Sequence, residues 1–164
     1  MQERPRFTRR GGVVILGALG ALAALAVVVP ASAGGAEVTR GRFHSFAAGT
    51  GMDISGHATM VRTGDGRTFV SVHVEGLAPS TSYQSHVHAA RCEVGLADGH
   101  YKHESAGPAN DQNEIWPGFT TNAAGIGNGK ARNDWTAGAD AVSVVVHIDA
   151  AAPANVKIAC ANLE

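Results

Sequence analysis

An all-β domain of many short antiparallel strands is the fold class this sequence predicts, and three observations carry it. No window of a dozen residues sustains a 3.6-residue apolar period bounded by caps, so helices are not expected. Short runs that alternate in polarity or are rich in β-branched residues recur along the chain instead. Between them cluster Gly, Pro, Asn and Asp, the residues that turns require. Together these point to an antiparallel sandwich or barrel.

The first 33 residues stand apart from that domain. Arg4, Arg6, Arg9 and Arg10 form a basic head, residues 13–29 are an unbroken apolar and small-residue run, and Ala31-Ser32-Ala33 is a small-x-small cleavage site. This is the pattern of an export signal, with a mature chain starting near Gly34. The run is also long enough to be read as a short membrane anchor, but its Gly and Ala content and the site after it favour cleavage, so no stable membrane insertion is expected. Thr8-Arg9-Arg10 hints at twin-arginine export, and no cysteine stands near the cleavage site to carry a lipid.

Residues 34–55 read as an N-terminal extension or edge strand, with strand character over 37–45. The domain proper spans 56–164. Strands are expected at 57–62 and 68–75, joined by Gly64-Asp65-Gly66, whose Asp-Gly pair is a hairpin signal. Further strands are expected at 82–89, 118–121, 127–135, 141–148 and 156–161. Residues 91–117 break this rhythm; a connection of that length is functional or disordered. It holds Cys92, His100, Tyr101, His103, Glu104, Asp111 and Glu114, and an ordered loop pinned by a disulfide is expected.

Removing residues 1–33 takes four arginines and Glu3 from 13 basic and 14 acidic residues, leaving 9 against 13 and a formal charge of −4. No basic patch and no motif of nucleic-acid recognition is present, so nucleic acid is not an expected partner. Two cysteines, Cys92 and Cys160, read as one disulfide rather than two free thiols if the compartment is oxidising.

His86 and His88 sit two apart in a strand, so their side chains share a face and can reach one ion. His147 follows Val144, Val145 and Val146, on the strand face opposite Val144, Val146 and Ile148. His100 lies in the long loop. His44, His57 and His73 have no partners in sequence and read as solvated. His103 reads as a solvated loop residue or a labile extra ligand, and Trp116 and Trp135 as core or loop packing.

The order His86-Val87-His88, Cys92, Gly99-His100-Tyr101, Ser143-Val144-Val145-Val146-His147-Ile148-Asp149-Ala150 and Val156-Lys157-Ile158-Ala159-Cys160 resembles copper-zinc superoxide dismutase over most of residues 56–161. The resemblance implies an eight-stranded Greek-key β-sandwich or barrel, with copper held by His86, His88, His100 and His147 and a bridge from Cys92 to Cys160. It implies an enzyme that disproportionates superoxide to dioxygen and hydrogen peroxide, with His100 carrying a proton. Lys157 stands where the family has an arginine; it keeps the charge that draws in an anion and lacks the planar fork.

Two departures qualify the likeness. After His100 the chain offers His103 and then no histidine before His147, too few for the family's zinc site, so zinc is expected to be absent. Nine residues separate His147 from Lys157, far fewer than the family's charged loop. Both look like the copper-only branch, in which a carboxylate orients the bridging histidine through its far nitrogen. Glu114 is the first choice, with Asp111 and Glu104 as competitors. The expected partners are superoxide and a copper donor protein, and the expected location is extracellular or in the cell envelope. The alternative is an exported copper-binding or copper-buffering protein without enzymatic activity.

Overall fold

The computed structural model describes residues 35–148 and 156–164; the segment read as an export signal lies outside them. Nine strands occur among the described residues: β1 (Glu37–Arg42), β2 (His44–Ser45), β3 (Ser55–Arg62), β4 (Thr68–Glu75), β5 (Ser82–His88), β6 (Phe119–Thr120), β7 (Gly127–Asn133), β8 (Ser143–Ile148) and β9 (Lys157–Asn162). The only helical element described is the 3-10 turn Ala47–Gly49. One sheet has the order β1-β3-β4-β7, the other β2-β9-β8-β5-β6, and every pairing is antiparallel. β7 returns to lie beside β4, and β8 beside β5, after intervening strands have crossed to the opposite sheet. Such non-sequential pairings are Greek-key crossings.

Alternation explains why these segments are strands. In β3 and β4, Ala58, Met60, Val70, Val72 and Val74 point inward, while Thr59, Ser71 and His73 point outward. From the second sheet Val87, Val144, Val146 and Ala159 meet them to form the main core. Truncating a fully buried member such as Met60 to Ala removes about 2–5 kcal/mol. The β3–β4 hairpin closes through Gly66 at φ 87°, the left-handed conformation that the Asp-Gly pair signals.

The run expected as one edge strand over 37–45 is two strands in different sheets. Phe43 turns into the core and breaks it, so β1 pairs with β3 whereas His44 and Ser45 pair with β9.

The site is positioned by the second sheet's other face. His86, His88, Val145, His147 and Cys160 alternate with core residues and so face away from the main core. They are nevertheless buried, because the long loop folds over them. Cys92 is bridged to Cys160 with Cα atoms 5.8 Å apart, and Phe46, Ala97 and Val145 pack around the bridge as a separate small core. The loop's far end is seated by glycine: a Cβ on Gly127 would lie 2.1 Å from the Phe119 ring, and one on Gly129 2.0 Å from the Pro117 carbonyl.

Candidate metal centre

The β5–β8 register places His86 opposite Val145 and Gln84 opposite His147, so both histidine-bearing strands present their rings on one face. His100 joins them from the loop through a bridge to His88. Each of His86, His88, His100 and His147 offers a ring nitrogen, and these four atoms all lie within 4.8 Å of one another. Nitrogens sharing an ion at bonds of about 2.0–2.1 Å stand no more than about 4 Å apart, so the observed set is a cradle of that size, slightly open.

Hydrogen bonds fix which nitrogens face inward. His88 Nδ1 donates to the Ala97 carbonyl at 3.0 Å and the Asp98 carbonyl at 3.2 Å, which leaves its Nε2 as a lone pair toward the cluster. His100 Nδ1 donates to Glu114 Oε2 at 2.7 Å, with the same result for its Nε2. His88 Nε2 and His147 Nε2 are 3.3 Å apart. His86 Nδ1 is buried and has no hydrogen-bond partner among the described residues. An unpartnered buried nitrogen is normally costly, and its placement in a ring of imidazoles fits a metal ligand.

The electrostatics favour the same reading. Burial, and then the neighbouring His100, push the His86 imidazole down to about 2, and burial followed by His100 and Lys157 pushes His88 down to about 3. Both rings are therefore neutral at any physiological pH, the state in which imidazole binds a metal. Nitrogen donors in this number suit copper or zinc.

The loop that caps the cluster carries strain. Gly95, Leu96, Ala97 and Asp98 have φ of 53°, 56°, 65° and 46°, a left-handed turn that costs roughly 1–2 kcal/mol for each non-glycine residue. It aims carbonyls inward: those of Ala97 and Asp98 receive His88, and those of Leu96 and Asp98 receive the Lys157 ammonium. Lys157 sits opposite His147 on β9, and burial lowers its pKa.

The structure thus brings together the four histidines, Glu114 and Lys157 around one centre. Asp111 and Glu104 are exposed, and His103 stacks on Trp135 with ring centroids 4.4 Å apart instead of joining the cluster. The fully buried Glu114 is the carboxylate that reaches His100. Sequence reasoning missed the carbonyls at 96–98 and the role of Trp116, whose Nε1 also donates to Glu114 Oε2, at 2.8 Å. Nothing local in the sequence marked either of them.

No protein-family model matches this sequence, and no curated protein matches it. Among solved structures it is similar to superoxide dismutase 5 of Candida albicans, in three single-substitution mutants of that protein. One, with a glutamate replaced by glutamine, aligns with a TM-score of 0.53 at 14% identity, over 79% of this chain and 91% of the other. A second, with an aspartate replaced by asparagine, gives a TM-score of 0.51 at 14% identity, over 77% and 90%. The third, with a glutamate replaced by alanine, likewise gives 0.51 at 14%, over 77% and 87%. At this identity the likeness speaks to architecture, and the chain has the β-sandwich fold of a superoxide dismutase, with a four-histidine cluster capable of holding a metal.

Proposed function

We propose that this chain is an exported, copper-dependent superoxide dismutase that works without zinc. The observation that carries the proposal is the convergence of four imidazole nitrogens within 4.8 Å, two of the rings held neutral by burial, on this fold. Copper bound there supplies one-electron cycling between two oxidation states, which disproportionation of superoxide requires. The protein's own groups do the rest. His86, His88 and His147, fixed on strands, hold the ion. His100 projects from the loop and is the ring best placed to carry a proton, since Glu114 holds its far nitrogen. That carboxylate occupies the place at which a second metal would otherwise orient the ring. Lys157 contributes positive charge beside His88. The Cys92–Cys160 bridge supports an oxidising, extracytoplasmic location.

Purified protein loaded with copper is expected to bind one copper and no zinc, and to remove superoxide faster than free-copper controls. The His100→Ala variant is expected to lose most of that rate. Stoichiometric zinc, or no activity above the controls, would overturn the proposal. The second reading, a copper-buffering protein, is favoured by one feature: the Lys157 ammonium is committed to the Leu96 and Asp98 carbonyls, which weakens its pull on an anion. A redox titration separates the two, because a buffer locked in one oxidation state cannot turn over.

A further inference from the structure

Glu114 carries all its side-chain hydrogen bonds on one oxygen. Its side chain is 1% exposed, Oε2 accepts from both His100 Nδ1 and Trp116 Nε1, and Oε1 has no partner among the described residues. Trp116, by contrast, is 40% exposed, more than a packing role requires of so large an apolar ring. Its ring stands edge-on to His86 with centroids 5.3 Å apart. Together with His86, His100 and Glu114 it lines an open groove of about 660 Å³.

We propose that Trp116 is a positioning residue of the metal centre, its indole N–H pinning the Glu114 oxygen that in turn orients the His100 ring. The torsion that turns a carboxylate is soft; one donor leaves it free to swing, whereas two donors converging on one oxygen fix it. The second donor is itself held, because the indole rests against His86. His100 needs this support more than its neighbours do. His86, His88 and His147 are buried within strands, whereas the His100 side chain is 22% exposed and stands on the loop, outside any strand. Groups behind a metal-bound imidazole are worth about 10–100-fold in metal affinity or activity, and the indole is the outermost link of that chain.

The metal arm of this inference rests on the copper reading above; the other arm does not. In apoprotein, the His100 Nδ1–H is followed by NMR hydrogen exchange in wild type and in Trp116→Phe, which keeps a ring and loses the donor. Exchange is expected to speed up in the variant. In copper-competition titrations the affinity is expected to fall about tenfold, the lower end of the range for such partners. Glu114→Ala, which removes the acceptor, should fall at least as far, and the double variant should fall no further than Glu114→Ala alone, since both act through one contact. Unchanged His100 exchange in Trp116→Phe, or losses that multiply in the double variant, would overturn the proposal. Should Trp116→Phe fail to fold, Trp116→Gln, which keeps an N–H donor, and Trp116→Leu, which has none, make the same comparison. Failure of wild type to bind copper sinks the copper reading and leaves the exchange measurement to decide this one.

Discussion

Acid should dismantle the apoprotein earlier than its carboxylates would dictate, and the histidine cluster sets the size of the effect. In the unfolded chain His86 and His88 titrate near 6.5, while in the fold burial holds them down to about 2 and about 3. The unfolded state therefore binds more protons between those values, and stability falls as pH falls. The contribution is fully present above pH 6.5 and drains away as pH drops through 6.5 toward 3. Each histidine loses about 1.4 kcal/mol per pH unit once below its unfolded value. At pH 4.5, where the folded rings are still neutral, the two together remove about 5 kcal/mol relative to pH 7. That equals the lower end of the whole stability of a domain, about 5–15 kcal/mol. Urea unfolding of metal-free, disulfide-intact protein at pH 7 and 4.5 measures it. The His86→Gln/His88→Gln double variant serves as the non-titrating control, because it subtracts the carboxylates that also begin to protonate there. An unfolding free energy that differs by less than about 1 kcal/mol between the two pH values, or a difference that persists in the control, would refute the reasoning.

Three other outcomes follow from named contacts. The Cys92–Cys160 bridge closes a separation of 68 residues, so unfolding under reducing conditions should occur with about 4 kcal/mol less stability in the chain-entropy model, read as a shift in the urea midpoint. Arg62 is buried and donates from Nε to the Ala137 carbonyl and from its Nη2 to those of Gly138 and Ala141. Arg62→Met keeps the stem and strips these carbonyls of their donors, which should cost about 3 kcal/mol in thermal or urea unfolding. His73 works against the acid trend: Asn128, and then Glu75, hold its pKa above 6.5. Its contribution is present below pH 6.5 and is lost as pH rises through the folded value, so the stability gap between wild type and His73→Gln should narrow from pH 6 to pH 9.

How legible the molecule was depends on the range of the interactions concerned. Strands at 57–62 and 68–75 could be read because a period of two is local, and the observed β3 and β4 differ from them by no more than two residues. The break at Phe43 could not, since an aromatic in a strand-like run does not announce that the chain is changing sheets. The pairing of His86 with His88 was legible from spacing, whereas the arrival of His100 depends on a loop that local pattern leaves open. Nothing local distinguishes Glu114 from Glu104 or Asp111. The distinction is tertiary: Ile115 inserts fully into the core and Asn133 Nδ2 binds the Glu114 carbonyl from β7, which draws this one acid under the loop. The left-handed turn at 95–98 escaped for the same reason, because its carbonyls are satisfied by His88 and Lys157, one nearby in sequence and one about 60 residues away.

These contacts also show why the loop and the cluster form as one unit. The main core between the sheets and the small core around Cys92, Cys160, Phe46, Ala97 and Val145 are separate. The loop is anchored to the sandwich through Tyr101 and Ile115, which enter the main core and bond the Val87 backbone between His86 and His88, through the small core, through the His88 and Lys157 bonds to its left-handed turn, and through Glu114. Every one of those anchors is also a support of a cluster histidine or of the strand beside it. Releasing Cys92 from Cys160 is therefore expected to act first on the cap around Ala97, which loses its packing and with it the support of the carbonyls held to His88. The main core keeps its contacts throughout. On this logic a metal bound by the four rings stabilises the loop more than the sandwich, since it ties the one loop-borne ligand to three strand-borne ones, and protection of loop amides from hydrogen exchange on copper addition should exceed that of β3 and β4.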